Sequence, residues 1–357
     1  MTAAQAIGAN QKWGPRQRSR EPSLIIQEAV SAYSDLKCRQ GVSLSSLHLI
    51  REHFAPPSRA YYALAALSRR AHLDDKSRAG AYKLLFPLRA LLEKRLIETF
   101  QRMGRPLDVV LSFGCKSFFG NSIKQGVSIR YPLSTCVPTS RCGGRCYAHD
   151  GRDRDYQRLF RGALNGLVGL HYENNPEDRG AILSRLSKQI DEVIALIKSD
   201  ALGAARVGYS RKPRIRFSHV GEMAATPTFA NDLASVINSR DPDISCVIYT
   251  RHPNAARLAV EHFVVNFTVE GPDDKRIAFQ PAKSRLVSSS WDGSIFPKAD
   301  VNFLEHHVEK SSSSVGQGSV CPVTANHKET PTCDSARCER CFVHPSSASP
   351  PPLAVTA

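Results

Sequence analysis

The chain has 357 residues, 41% of them hydrophobic and 23% charged, with a formal net charge of +15. That balance fits a globular protein with one large core or two domains, and no apolar run approaches the roughly 18 residues that a membrane-spanning helix requires. The charge is uneven: residues 1–162 hold 27 Lys+Arg against 12 Asp+Glu, a balance of +15, and residues 163–357 hold 21 of each.

Lysine and arginine displace counterions from phosphates, so a basic first half predicts a nucleic-acid partner; a solvated basic face is the plainer alternative. The opening stretch MTAAQAIGANQKWGPRQRSREPS has no signal-peptide core, which predicts a cytoplasmic chain with no membrane partner. In that reducing compartment the ten cysteines are expected to be thiols and ligands, and five disulfides in a secreted chain are the competing reading.

Residues 1–22 read as a disordered basic tail carrying Lys12, Arg16, Arg18 and Arg20. Residues 23–105 read as a small basic helical domain. Ser23, Ser43 and Ser58 can each open a helix, and Pro87 breaks or restarts a fourth before Leu88–Phe100. An α/β domain is predicted over 106–307. Leu107–Phe113 reads as a strand, followed by a Gly/Ser/Lys loop through Gly126 and a strand from Val127 to Tyr131. Helices are predicted over Asp153–Tyr172 and Glu177–Asp200, the second with Ile182, Leu186, Ile190, Val193 and Ile197 on one face. Strands over Arg214–Ser218, Ile244–Tyr249, His262–Val269 and Leu286–Ser290 then alternate with helical segments over Thr226–Ser239, Pro253–Ala259 and Asp273–Phe279. Such alternation predicts a parallel sheet. Residues 308–320 read as a Ser-rich linker, 321–344 as a C-terminal cysteine cluster and 345–357 as a disordered tail.

The strongest chemical signal is Ser134-Thr-Cys136-Val-Pro-Thr-Ser-Arg-Cys142-Gly-Gly-Arg-Cys146-Tyr-Ala-His149. Its C-x5-C-x3-C spacing, with Gly143-Gly144 permitting a tight turn, lets Cys136, Cys142 and Cys146 converge on one point. A zinc site would need a fourth ligand, for which His149 is a candidate; three thiolates with an open position would suit an iron–sulfur cluster. A second window holds Cys321, Cys333, Cys338 and Cys341, enough to complete a zinc site or a four-iron cluster alone. Inert, buried thiols are the alternative for both windows. Cys246, in an apolar strand, is expected to be core, and Cys38 incidental.

A further group gathers where the predicted strands end: Ser218-His219-Val-Gly221-Glu222, Thr250-Arg251-His252, Glu270-Gly271 and Ser290-Trp291-Asp292-Gly293. Ligands of α/β sheets and barrels bind at the carboxyl ends of strands. Glu222 and His219 are thus candidate acids, bases or ligands, and Arg251 a candidate anion contact. Ordinary loop polarity and helix capping are the alternative. No Walker-type loop and no GxGxxG is present.

The order of these motifs resembles the phage gene-product-88 family of phages and mobile DNA, over about residues 107–343. The resemblance rests on the Gly-Asn-Ser-Ile-Lys loop, the C-x5-C-x3-C-Tyr window, Ile-Arg-Phe-Ser-His-Val-Gly-Glu, Val-Ile-Tyr-Thr-Arg and the terminal Cys-Pro and cysteine set. Two departures stand out. Gly221-Glu222-Met223 replaces the usual Gly-Asp-aromatic, and Cys333 to Cys338 is wider than C-x2-C. The layout also looks like that of a radical-SAM enzyme, although the usual C-x3-C-x2-C is replaced here by Cys142-x3-Cys146 leading to His149. The resemblances imply a fold and a cysteine grouping and leave the small-molecule substrate open.

The expectation is therefore an α/β protein with a partial or complete βα-barrel-like parallel sheet and cysteine-rich metal loops, preceded by the all-helical domain. Its expected cofactor is an iron–sulfur cluster or zinc. Two functions compete: an iron–sulfur enzyme with Glu222, His219 and Arg251 lining its cavity, and a zinc-stabilised nucleic-acid-binding protein.

Overall fold

Seven short strands form one sheet in the order β1 to β7. β1 (Phe119–Ser122) and β2 (Gly126–Ile129) pair as an antiparallel hairpin. From β2 onward every pairing is parallel, through β3 (Arg214–Phe217), β4 (Ser245–Thr250), β5 (Val264–Val269), β6 (Arg285–Ser290) and β7 (Val301–Leu304). The computed structural model describes residues 86, 89–90, 93–94, 97–98, 118–122, 126–139, 142, 148, 156–206, 213–290, 296–304 and 341. The chain divides into two compact units, Met1–Lys116 with Tyr131–Val168, and Ser117–Arg130 with Gly169–Ala357. The sheet belongs to the second.

The helices follow from apolar spacing. In α2 (Arg179–Arg206), Ile182, Leu186, Ile190 and Ile197 recur at helical intervals and are all buried. α3 (Pro227–Arg240) opens with a proline in its first turn, where the missing N–H costs nothing, and buries Phe229, Leu233 and Ile237. Phe229 packs edge-on against Phe118 at 5.7 Å and lies 5.0 Å from Tyr172, in the last turns of α1 (Tyr156–Asn174). The Tyr172 hydroxyl donates to Asp232 on α3 at 2.7 Å.

The two faces of the sheet differ. Ile215, Phe217, Ile248, Val265 and Phe267 alternate onto a buried apolar face, and the Cys246 thiol on that face reaches Asn238 of α3 at 3.6 Å. The opposite face carries Arg214, Arg216, Val247, Tyr249, Asn266, Arg285 and Val301. The registers are staggered: Val264 pairs with Val247, Arg285 with Asn266, and Val301 with Val287. Each of β5, β6 and β7 therefore begins two residues further along than the strand before it.

The expected α/β class and parallel sheet are present. Two strands were not expected. β1 lies in the segment read as a Gly/Ser/Lys loop, where Phe119 is the one apolar residue of Phe-Gly-Asn-Ser. β7 follows the last strand that the sequence pattern predicted. The Leu107–Phe113 strand, the Ser-rich linker and the tails fall outside the described residues. So does most of the helical domain, although Phe86, Arg89, Ala90, Glu93, Lys94, Ile97 and Glu98 are helical, as the pattern around Pro87 predicts. No helix among the described residues is long and apolar enough to cross a membrane.

Candidate functional site

The polar residues expected at the strand ends do assemble along the carboxyl edge of β3, β4 and β5. β3 leaves the sheet at Ser218, whose φ of 63° is uncommon for a residue with a Cβ. Its hydroxyl accepts from the Met223 amide at 2.6 Å, and Gly221 (φ 76°) completes a turn that brings Glu222 back over the edge. The His219 amide donates to the Ile129 carbonyl at 2.7 Å, so this turn is tied to the end of β2.

Glu222 is buried, with 6% of its surface exposed. Its Oε1 accepts from the Arg251 amide at 3.3 Å, and the Thr250 hydroxyl also bonds the carboxylate. Burial raises the Glu222 pKa above the ordinary carboxylate value, even though Thr250, Arg251 and Arg276 favour its charge. The Arg251 guanidinium reaches Glu270 at 3.5 Å.

Asp274 and Arg276, which sequence reasoning read only as part of a helical turn, complete the group. Arg276 grips Asp274 with two bonds, Nε to Oδ1 at 2.8 Å and Nη2 to Oδ2 at 2.5 Å. Asp274 also accepts from the Glu270 and Arg276 amides, each at 3.0 Å. Burial would raise its pKa, but these bonds outweigh it and hold the carboxyl down at about 2. His252 has its pKa lowered by burial, and its Nδ1 accepts from the Asn254 amide at 3.1 Å, which places the proton of the neutral ring on Nε2. Trp291, Asp292 and Gly293 lie outside the described residues. The edge thus offers a buried carboxyl with a raised pKa, two arginines and a histidine whose pKa burial lowers.

Of the seven candidate metal ligands, Cys136, Cys142 and Cys341 are described, and Cys146, Cys321, Cys333 and Cys338 lie outside the described residues. In the first unit, Leu133–Thr135 forms a short 3-10 turn closed by the Cys136 amide donating to Leu133 at 3.0 Å. The Cys142 amide donates to the Thr139 hydroxyl at 3.0 Å. Both side chains are half-buried thiols in a polar loop. Cys246 is the contrast: burial among apolar groups raises its pKa, and it is core, as expected.

A buried ion pair borders this loop. Arg89 and Glu93 stand one helical turn apart with Nε 2.9 Å from Oε1. Glu93 accepts from the Ser134 amide at 3.3 Å, and Arg89 donates to the Ala148 carbonyl at 2.5 Å. The two ends of the first cysteine window are thereby held by one pair of side chains.

In the second unit, Cys341 sits on the sheet face that carries the arginines, in a cluster with Val247, Val264, Val287 and Val301. Asn266 donates to its carbonyl at 3.0 Å, while the Asn266 Oδ1 accepts from Arg285 at 3.4 Å. Among the described residues no three His, Cys, Asp or Glu side chains form a metal-sized group. Comparison with known protein families, characterised proteins and solved structures gives no match.

Proposed function

We propose that this chain is a metal-dependent enzyme whose chemistry takes place at the carboxyl edge of a barrel-like parallel sheet. The observation that carries the reading is Glu222: a buried carboxyl whose pKa burial raises, set beside Arg251 and Arg276 at the edge where α/β enzymes bind substrate. Such a group can donate a proton to a bound anion or, once ionised, accept one. The barrel reading is supported by strand order and stagger. Doubly wound sheets reverse direction at a switch point, whereas these parallel strands follow one another in chain order. The offset of two residues at β5, β6 and β7 is the kind of shear that tilts strands around a barrel.

Cys136, Cys142 and Cys146 would hold the reactive centre and Cys321, Cys333, Cys338 and Cys341 an auxiliary one. When bound, an iron–sulfur centre would supply an electron, and zinc a Lewis acid. The protein's own groups do the rest: Glu222 holds or moves a proton, Arg251 and Arg276 orient negative charge, and the Ser218–Gly221 turn fixes Glu222. Membership of the gene-product-88 family and a cytoplasmic location are parts of the same proposal, supported by motif order and by a cysteine content suited to a reducing compartment. Anaerobic purification with iron, zinc and labile-sulfide analysis of wild type and Cys146→Ala tests it; the variant should lose metal and keep the sheet's circular dichroism.

The charge asymmetry favours one competing reading, a zinc-stabilised nucleic-acid-binding protein using the basic first half. Under that reading, replacing Lys12, Arg16, Arg18 and Arg20 by Gln weakens binding to DNA or RNA and flattens its salt dependence. Unchanged binding and salt slope would remove it.

A further inference from the structure

Arg89 and Glu93 are both buried, and polar bonds run from each of them to the first cysteine window. The Glu93 carboxylate accepts from two consecutive amides, Leu133 and Ser134, at the start of the 3-10 turn Leu133–Thr135. Cys136 closes that turn through its own amide, bonded to the Leu133 carbonyl at 3.0 Å. At the far end of the window Arg89 donates to the Ala148 carbonyl at 2.5 Å. All of these residues belong to the same compact unit.

Exposure is low at the ends and rises between them. Leu133 and Ala148 are buried, whereas Val137 is 42% exposed and Cys136 and Cys142 are half-buried. The Thr135 hydroxyl donates to the Pro132 carbonyl at 2.6 Å, and the Thr139 hydroxyl accepts from the Cys142 amide at 3.0 Å. The two thiol positions are therefore shaped by local bonds, and the ends of the loop are fastened to one turn of helix.

A buried ion pair adds little stability over apolar residues of similar volume, because desolvation offsets most of its attraction. Apolar residues cannot, however, hold two amides and a carbonyl in fixed places. Charge-assisted hydrogen bonds can, and they set geometry as well as energy. A loop that must order itself around an ion binds it more weakly than a loop already closed, because the ordering cost is subtracted from the binding energy.

We propose that Arg89 and Glu93 are positioning residues of the first cysteine window: they close the loop from Ser134 to Ala148 and so hold Cys136 and Cys142 in place for a soft metal ion before one binds. The closure stands on the bonds above, and its role in ligation rests on the metal reading.

The test uses the full chain, metal-free and reduced, as wild type, Arg89→Met with Glu93→Leu, and Glu93→Gln. Two quantities are read: the rates at which iodoacetamide alkylates Cys136 and Cys142, mapped by mass spectrometry, and zinc affinity by competition with a chromophoric chelator. The zinc measurement is made with Cys333→Ser and Cys338→Ser in every chain, so that the first window is read alone. The double variant should keep the fold, since apolar replacement of both partners costs little. It should nevertheless alkylate Cys136 and Cys142 about tenfold faster or more, and bind zinc about tenfold more weakly or more. Cys246, buried in the sheet, reports unfolding and should react as slowly as in wild type. Lys94→Gln, at an exposed position on the same helix, is the unaffected control. If the double variant does not fold, Glu93→Gln decides, with a change of about threefold or more expected in both quantities. Wild-type alkylation rates in a folded variant overturn the proposal, and so does faster alkylation with unchanged zinc affinity. A wild-type chain that takes up no zinc removes the metal reading, and the alkylation rates then still decide whether the pair closes the loop.

Discussion

Asp274→Asn probes the electrostatic frame of the edge most sharply. The folded carboxyl titrates at about 2 against an ordinary value of 3.8, because Arg276 and two amides bind its charged form. At about 1.4 kcal/mol per pKa unit this corresponds to roughly 2 kcal/mol of stability. The folded pKa is depressed, so the contribution is complete well above 3.8 and is lost as pH falls through about 2. Linkage puts close to half of it gone by about pH 3. The variant keeps the shape of the side chain but turns one acceptor into a donor facing Arg276 or an amide. Urea unfolding of both proteins should therefore show Asp274→Asn less stable by about 2 kcal/mol near neutrality, with the gap narrowing by about 1 kcal/mol near pH 3. A gap below about 0.5 kcal/mol at neutral pH, or one that does not change with pH, would refute the reasoning.

Glu222→Gln should behave oppositely. The wild-type carboxyl has a raised folded pKa, so its contribution is present below the ordinary value and fades as pH rises through the folded one. The variant should gain on wild type in urea midpoint as pH increases, and a pH-independent difference would contradict this. Gly166→Ala places a Cβ 2.5 and 2.6 Å from the Pro132 ring carbons, so overlap of about 1–3 kcal/mol should exceed the helix-propensity gain of about 1 kcal/mol. A raised melting temperature would mean that Pro132 yields freely. Arg89→Met strands Glu93 in a buried site and should cost about 3–5 kcal/mol, whereas Arg89→Met with Glu93→Leu should cost far less. Equal losses in the single and double variants would show that the pair does not act as a unit.

The sequence was most legible where chemistry repeats locally. Near-continuous apolar runs such as Cys246-Val-Ile-Tyr249 and Val264-Val-Asn-Phe267 mark buried parallel strands, and the spacing of Ile182, Leu186 and Ile190 marks a helix. β1 escaped because Phe-Gly-Asn-Ser has a single apolar residue and two poor strand formers; its order comes from pairing with β2. The edge was half legible. Glu222, Thr250, Arg251 and Glu270 each follow a recognisable strand. The involvement of Asp274 and Arg276 depends on a turn folding back over β5, which no local pattern encodes. The arginine face did leave a signal, the alternation Arg214-Ile215-Arg216-Phe217, with charge on one side and core on the other. For the cysteines, spacing alone carried the expectation of a metal: Cys136 and Cys142 are half-buried, and Cys341 is buried among Val247, Val264, Val287 and Val301.

Metal and labile-sulfide content of the full chain purified without oxygen, read with its visible spectrum, tests the central claim most directly. The enzyme account predicts brown protein with stoichiometric iron and sulfide, or stoichiometric zinc of which Cys146→Ala removes the part held by the first cysteine window without loss of the sheet. A colourless, fully folded chain with no bound metal would contradict it.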